Sequence, residues 1–111
     1  MVVSDKKNKN TEFKCSLKDV LDIVGGKWSI PIIYTLFDGK KRFSELERTI
    51  PNINTRMLVK ELKKLEENRI IKREAFATVP PTVEYSLNDK GLKLQPIIMD
   101  LYRWGEEFVD Q

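Results

Sequence analysis

The sequence predicts a mainly α-helical domain that carries one small β-hairpin. Three observations support this. Successive apolar patterns with helical spacing run from Ser16 to Leu65, interrupted at Gly25, Gly39 and Pro51. Two short runs suited to strands follow, IIKREAF and VEYSL, joined by a connector containing Pro80 and Pro81. A last helical pattern then occupies the chain from Asn88 onward.

Residues 1–14 are rich in Lys and Asn and aperiodic, and read as a flexible basic arm. A first helix is expected to start at Ser16, a good N-cap with Asp19 in the reciprocal position. Leu17, Val20, Leu21 and Val24 share one face of it, and Gly25 is the stop. A second helix covers about Lys27 to Asp38 and tolerates Pro31 in its first turn. Ser44 and Glu47 suggest a capping box opening a short third helix that ends at Pro51.

The fourth helix is the most informative. Asn54 reads as its N-cap, and Ile53 with Leu58 forms a hydrophobic staple that fixes the entry angle. Leu58, Leu62 and Leu65 make a narrow apolar stripe, and Arg56, Lys60, Lys63 and Glu67 lie opposite by 100° steps. After the hairpin, Asn88 caps the C-terminal helix, residues 88–111, in which Pro96 predicts a bend or a split. A helix, a short turn and a basic-faced helix, followed by a hairpin, make a winged helix-turn-helix with flanking N- and C-terminal helices. Residues 15–111 are read as that one domain.

Composition narrows the function. A chain of 111 residues, 41% hydrophobic and 33% charged, supports one modest core. No apolar run approaches a membrane span, and MVVSDKKNKN has no apolar signal core, so a soluble cytoplasmic protein with no membrane partner is expected. The single cysteine, Cys15, permits no intramolecular disulfide. The absence of histidine removes Ser-His and Cys-His nucleophile pairs and His-liganded metals. Gly25-Gly26 is isolated and makes no phosphate loop. No enzyme, metal site or cofactor is expected.

Charge is unevenly spread. Between Asn54 and Arg73 seven basic residues face three acidic ones, whereas from Asn88 to Gln111 three basic residues face five acidic ones. A basic middle and an acidic tail suggest different partners for the two regions.

The pattern closely resembles the HxlR family of winged-helix transcriptional regulators, similar in fold to the MarR group. The matching residues are C-S-L at Cys15, L-D-I-V-G-G-K-W from Leu21 and R-F-S-E-L from Arg42. They continue with I-N-T-R-M-L from Ile53, L-K-K-L-E from Leu62, V-P-P-T-V-E-Y-S-L-N-D-K-G from Val79 and W-G at Trp104. The resemblance implies a homodimer that binds double-stranded operator DNA, with the helix after Asn54 in the major groove and the proline-tipped hairpin as the wing. It also implies that Cys15 can sense oxidants or electrophiles, as some relatives do through a cysteine at this position. Thr82 departs from the family, where many members carry a basic residue, and Asn54-Thr55 replaces the common Ser-Gln.

Candidate residues follow. Thr55 and Arg56 lie in the first turn, where base edges are reached, and Arg56 is suited to guanine. Lys60 and Lys63 lie further along and suit phosphates. Such a face on an isolated helix is ordinary solvated surface; in a helix-turn-helix it is the face presented to DNA. Ser44, Asn54, Thr78 and Thr82 complete the DNA-binding set, and Lys27 is a weaker candidate. The adjacent prolines end the hairpin ladder and stiffen its tip, which suits a wing and equally an inert loop. Ile97, Ile98, Leu101, Trp104 and Phe108, with Leu17 and Leu21, are candidates for a two-fold interface, although the stripe could instead close the core. Cys15, beside Lys14 and Lys18 at the expected helix start, is a candidate thiol sensor or simply a small apolar residue. A winged helix can also serve as a protein-interaction module, and only DNA binding should weaken steeply with salt.

Overall fold

The structure, a computed structural model, describes residues 7–109 and the side chains among residues 16–109. Helix α1, Lys7–Val24, is followed by α2, Ser29–Thr35, and a 3₁₀ turn, Leu36–Asp38. Strand β1, Lys41–Arg42, leads into α3, Phe43–Thr49, and α4, Thr55–Glu67. Strands β2, Ile71–Phe76, and β3, Thr82–Leu87, form the hairpin. A single turn, α5, Asp89–Leu92, precedes α6, Gln95–Phe108.

The helix-turn-helix and hairpin stand where the sequence puts them, and the core explains why. Ile32, Ile33 and Leu36 from the second helical segment meet Leu46 of α3 and Leu58, Leu62 and Leu65 of α4, all essentially removed from water. Full burial of one such side chain is worth about 1.5–3 kcal/mol. Ile53 and Leu58 are both buried, as the staple requires, and Asn54 accepts a 2.8 Å hydrogen bond from the Met57 amide.

The end of α4 has a feature the sequence does not advertise. Arg69 N–H donates to the Glu66 carbonyl and Ile70 N–H to the Leu65 carbonyl, the pattern of a Schellman cap, with Leu65 and Ile70 both buried. The cap position is left-handed, φ 62° at Arg69, where glycine would be unstrained. The following strand therefore starts with its inward residue, Ile71, already seated in the core.

Five expectations need correction. Helix α1 begins at Lys7, not Ser16, so Ser16 caps nothing; residues 1–6 of the expected arm lie outside the described residues, as do 110–111. Cys15 consequently lies well inside α1 and gains nothing from a helix N-terminus; its side chain lies outside the described set. The N-cap of α3 is Arg42, whose amide donates to Glu45 at 2.9 Å, and Ser44 sits in the first turn instead. Basic residues ahead of α3 are recruited as strand β1, which pairs with β3 through Lys41–Tyr85 and Arg42–Glu84, giving a three-stranded sheet of order β1-β3-β2. Finally, Asn88 makes no side-chain cap. Its amide nitrogen donates instead to the carbonyls of Arg69 and Ile71, and its backbone N–H to that of Ile70.

The expected interruption near Pro96 is real: α5 and α6 are separate, and Pro96 occupies the first turn of α6, where its missing N–H costs nothing. Gly91, on α5, packs so tightly that a Cβ there would lie 2.3 Å from the Ile70 carbonyl oxygen.

Candidate nucleic-acid interface

The outward side of α4 is assembled by its own burial. With Leu58, Leu62 and Leu65 turned inward, Arg56, Lys60, Lys63 and Glu67 are all exposed on the other side. Ser29, fully buried in α2, donates to Glu61 Oε2 at 2.8 Å and ties α2 to the flank of α4. Beside that tie lies a cavity of about 480 Å³ bordered by Lys27, Trp28, Met57, Lys60 and Lys63. Lys27 Nζ sits 5.1 Å from the centre of the Trp28 ring, a cation–π placement that brings its charge to the α4 side.

Thr55, at the first position of α4, is exposed and donates its hydroxyl hydrogen to Glu47 Oε2 in α3. The carboxylate was legible only as a helix-capping partner. The signal that would have found it is positional: in a helix-turn-helix the end of one helix meets the start of the next, so residues eight apart across the turn touch.

At the wing, Thr78 Oγ1 donates to the Pro80 carbonyl at 2.7 Å and lies 3.5 Å from the Thr82 hydroxyl. The two predicted wing threonines therefore meet each other across a self-bonded tip. Further down, Glu74 and Glu84 stand directly opposite on one face, an arrangement that alone is repulsive. Lys40 Nζ reaches Glu84 Oε1 at 3.3 Å and lies 5.9 Å from the Phe76 ring centre. Lys40, close to Ser44 in sequence, thus neutralises the sheet face; Arg42 and Ser44 remain exposed.

The second candidate surface is apolar. Leu17, Leu21, Ile97, Leu101, Trp104 and Phe108 are each more than half exposed, and Trp104 and Phe108 pack ring to ring at 5.4 Å. Ile98 does not belong with them. It is 4% exposed and part of the core, because it is on the side of α6 that packs against α2. On the same helix Tyr102 stacks on Tyr34 at 6.2 Å, and the negative charge of Glu106, which also hydrogen-bonds it, raises the Tyr102 pKa. Among the described residues no group of acids, cysteines and histidines could hold a metal, and no single helix is long and apolar enough to cross a membrane.

Residues 23–111 match the model of the HxlR-like helix-turn-helix family. The chain belongs to that family. It is 45% identical to the uncharacterized HTH-type transcriptional regulator YdeP of Bacillus subtilis strain 168 over 87% of this chain and 76% of the relative. The oxidized form of the redox regulator HypR, 44% identical, superposes with a TM-score of 0.82 over 87% of this chain and all of that one. A protein assigned to the MarR family from Porphyromonas gingivalis W83, 36% identical, gives 0.82 over 98% of this chain and all of that one. The HxlR-like family and these relatives comprise transcriptional regulators, not enzymes. Its fold is therefore that of the winged helix-turn-helix regulators, and DNA-binding regulation is the activity the membership carries.

Proposed function

We propose that this HxlR-like protein is a sequence-specific regulator that occupies promoter operators as a homodimer. One observation carries the reading: every leucine of α4 is buried within the chain, and the side left outside presents Arg56, Lys60 and Lys63. A helix seated this way offers a polyanion a largely cationic face, on which Val59 is the exposed apolar residue. Thr55 and Arg56 meet base edges, Lys60 and Lys63 the phosphates, and Asn54 holds the first turn in shape. Ser44 faces the flanking backbone, and the Thr78–Thr82 tip runs beside the duplex as the wing.

The homodimer forms through the apolar stripe of α6 together with Leu17 and Leu21 of α1. On α6 the Trp104–Phe108 ring pair stands exposed on the same helix as exposed Ile97 and Leu101, a concentration of apolar surface that suits an interaction face. A two-fold pair of α4 helices matches inverted half-sites.

Capture of fragmented host DNA, followed by sequencing, tests this with an Arg56→Ala/Lys60→Ala variant in parallel. A few inverted-repeat sites, enriched by the unaltered protein and lost in the variant, are the expected outcome. Equal unspecific recovery by both would reduce the α4 face to solvated surface and leave a protein-interaction module.

Thiol sensing at Cys15 is the second reading. It is supported by the flanking Lys14 and Lys18 and by a relative described as a redox regulator. Alkylation of Cys15 is expected to change operator affinity; unaltered binding after complete modification would end that reading.

A further inference from the structure

The Glu47–Thr55 contact has a chemical direction. A carboxylate can only accept, whereas a threonine hydroxyl has one hydrogen to give and lone pairs to receive with. Where the two meet, the hydrogen must point from Thr55 to Glu47, and the structure places it so. The bond is charge-assisted, hence stronger than a neutral one, and it strengthens the acceptor character of the hydroxyl oxygen. Thr55 is exposed at the first position of α4, so what it shows to a partner is an oxygen that accepts and cannot donate.

In the major groove this asymmetry has meaning. Guanine N7 and O6, thymine O4 and adenine N7 are acceptors, as are phosphate oxygens, and none of them can bond to such an oxygen. The donors are the exocyclic amino groups, N6 of adenine and N4 of cytosine. Resting on the operator-binding reading above, we propose that Glu47 is a specificity-determining residue. By holding the Thr55 hydrogen it commits Thr55 to an adenine or cytosine amino group at one position of each half-site.

The contact also keeps Thr55 off the backbone. A hydroxyl at the start of a reading helix is ordinarily free to donate to phosphate, and the negative charge of Glu47 beside it opposes a phosphate further. Arg56, the next residue, is untouched by this device and reads its own base. Glu47 acts through Thr55 and is a positioning residue for it.

The test is selection of bound sequences from a randomised duplex library by the full chain and by Glu47→Ala, Glu47→Gln, Thr55→Val and the double variant Glu47→Ala/Thr55→Val. The unaltered protein should prefer adenine or cytosine at one position per half-site by roughly fivefold, the worth of one net hydrogen bond. Glu47→Ala frees the hydroxyl to donate, so guanine and thymine are accepted there and the preference disappears, while all other positions stay fixed. Glu47→Gln, of the same shape, can accept or donate and should broaden the same position, which guards against a packing effect of the alanine. Thr55→Val should erase the preference at that position, and the double variant should add nothing to it.

Arg56→Ala serves as the internal control, since it should relax a different position and leave this one intact. The inference is overturned if Glu47→Ala retains the preference, or if Glu47→Ala and Thr55→Val relax different positions. No enriched sequence at all with the unaltered protein would overturn operator binding itself, and this inference with it.

Discussion

Helices α4 and α6 are nearly equal in length, 13 and 14 residues, and both are amphipathic, yet they are finished differently. In α4 the apolar stripe is consumed by the chain's own core, and the outward side is cationic. In α6 only Ile98 is buried, while Ile97, Leu101, Trp104 and Phe108 stay more than half exposed. The first helix is energetically closed and has charge to offer. The second is open and has apolar area to offer. Periodicity alone cannot tell these cases apart, because a stripe that closes a core and a stripe that awaits a second copy have the same spacing.

The contrast can be broken most forcefully from the inside. Leu62→Ala removes a side chain that is 2% exposed and should cost about 2–5 kcal/mol of stability by denaturant unfolding. A loss below about 1 kcal/mol would mean that α4 is not held by its stripe. Truncation on α6 should act through association instead. Trp104→Ala is expected to weaken the homodimer by about 2–4 kcal/mol, read by sedimentation across a dilution series. If the association state is unmoved, the open face closes on something other than a second copy.

The charged side should respond on a smaller scale and in two distinguishable ways. Arg56→Ala should cost about 1–3 kcal/mol at the best operator and relax one base position. Lys60→Ala should weaken all duplexes alike and reduce the salt slope by about one. Interchanged phenotypes would reverse the base and phosphate roles given to them. The smallest effect concerns the end of α4: Arg69→Gly, relieving a left-handed residue, should raise stability by about 0.5–1 kcal/mol in thermal unfolding. A loss would show that the Arg69 side chain contributes more than its backbone costs.

Much of this architecture was legible in the sequence because the relevant signals are local. Asn54 with Met57, Ile53 with Leu58 and the stop before Pro51 each act within one turn of helix. The alternation of VEYSL likewise needs only its own strand. What escaped depends on distant partners. Strand β1 is two residues long and exists only because β3 offers it a ladder. Asn88 has the composition of a cap, but carbonyls at Arg69 and Ile71 compete for its amide and win. Ser16 could not reveal that residues ahead of it continue the helix, since Lys and Asn carry no periodicity. At the interface, the basic face of α4 was visible from 100° steps, whereas the Glu47–Thr55 pair and the capture of Lys40 by Glu84 required the fold.

The Asn88 bonds and the pressed contact of Gly91 on Ile70 join the root of the hairpin to the start of the C-terminal helices. In mechanical terms the wing is a braced beam, clamped at its root and held again halfway where β1 pairs with Glu84 and Tyr85. Only about two residues of each strand, roughly 7 Å, extend beyond that brace. The loop of adjacent prolines is thus a short overhang, and its position is tied to the start of α3 through the strand that leads into it.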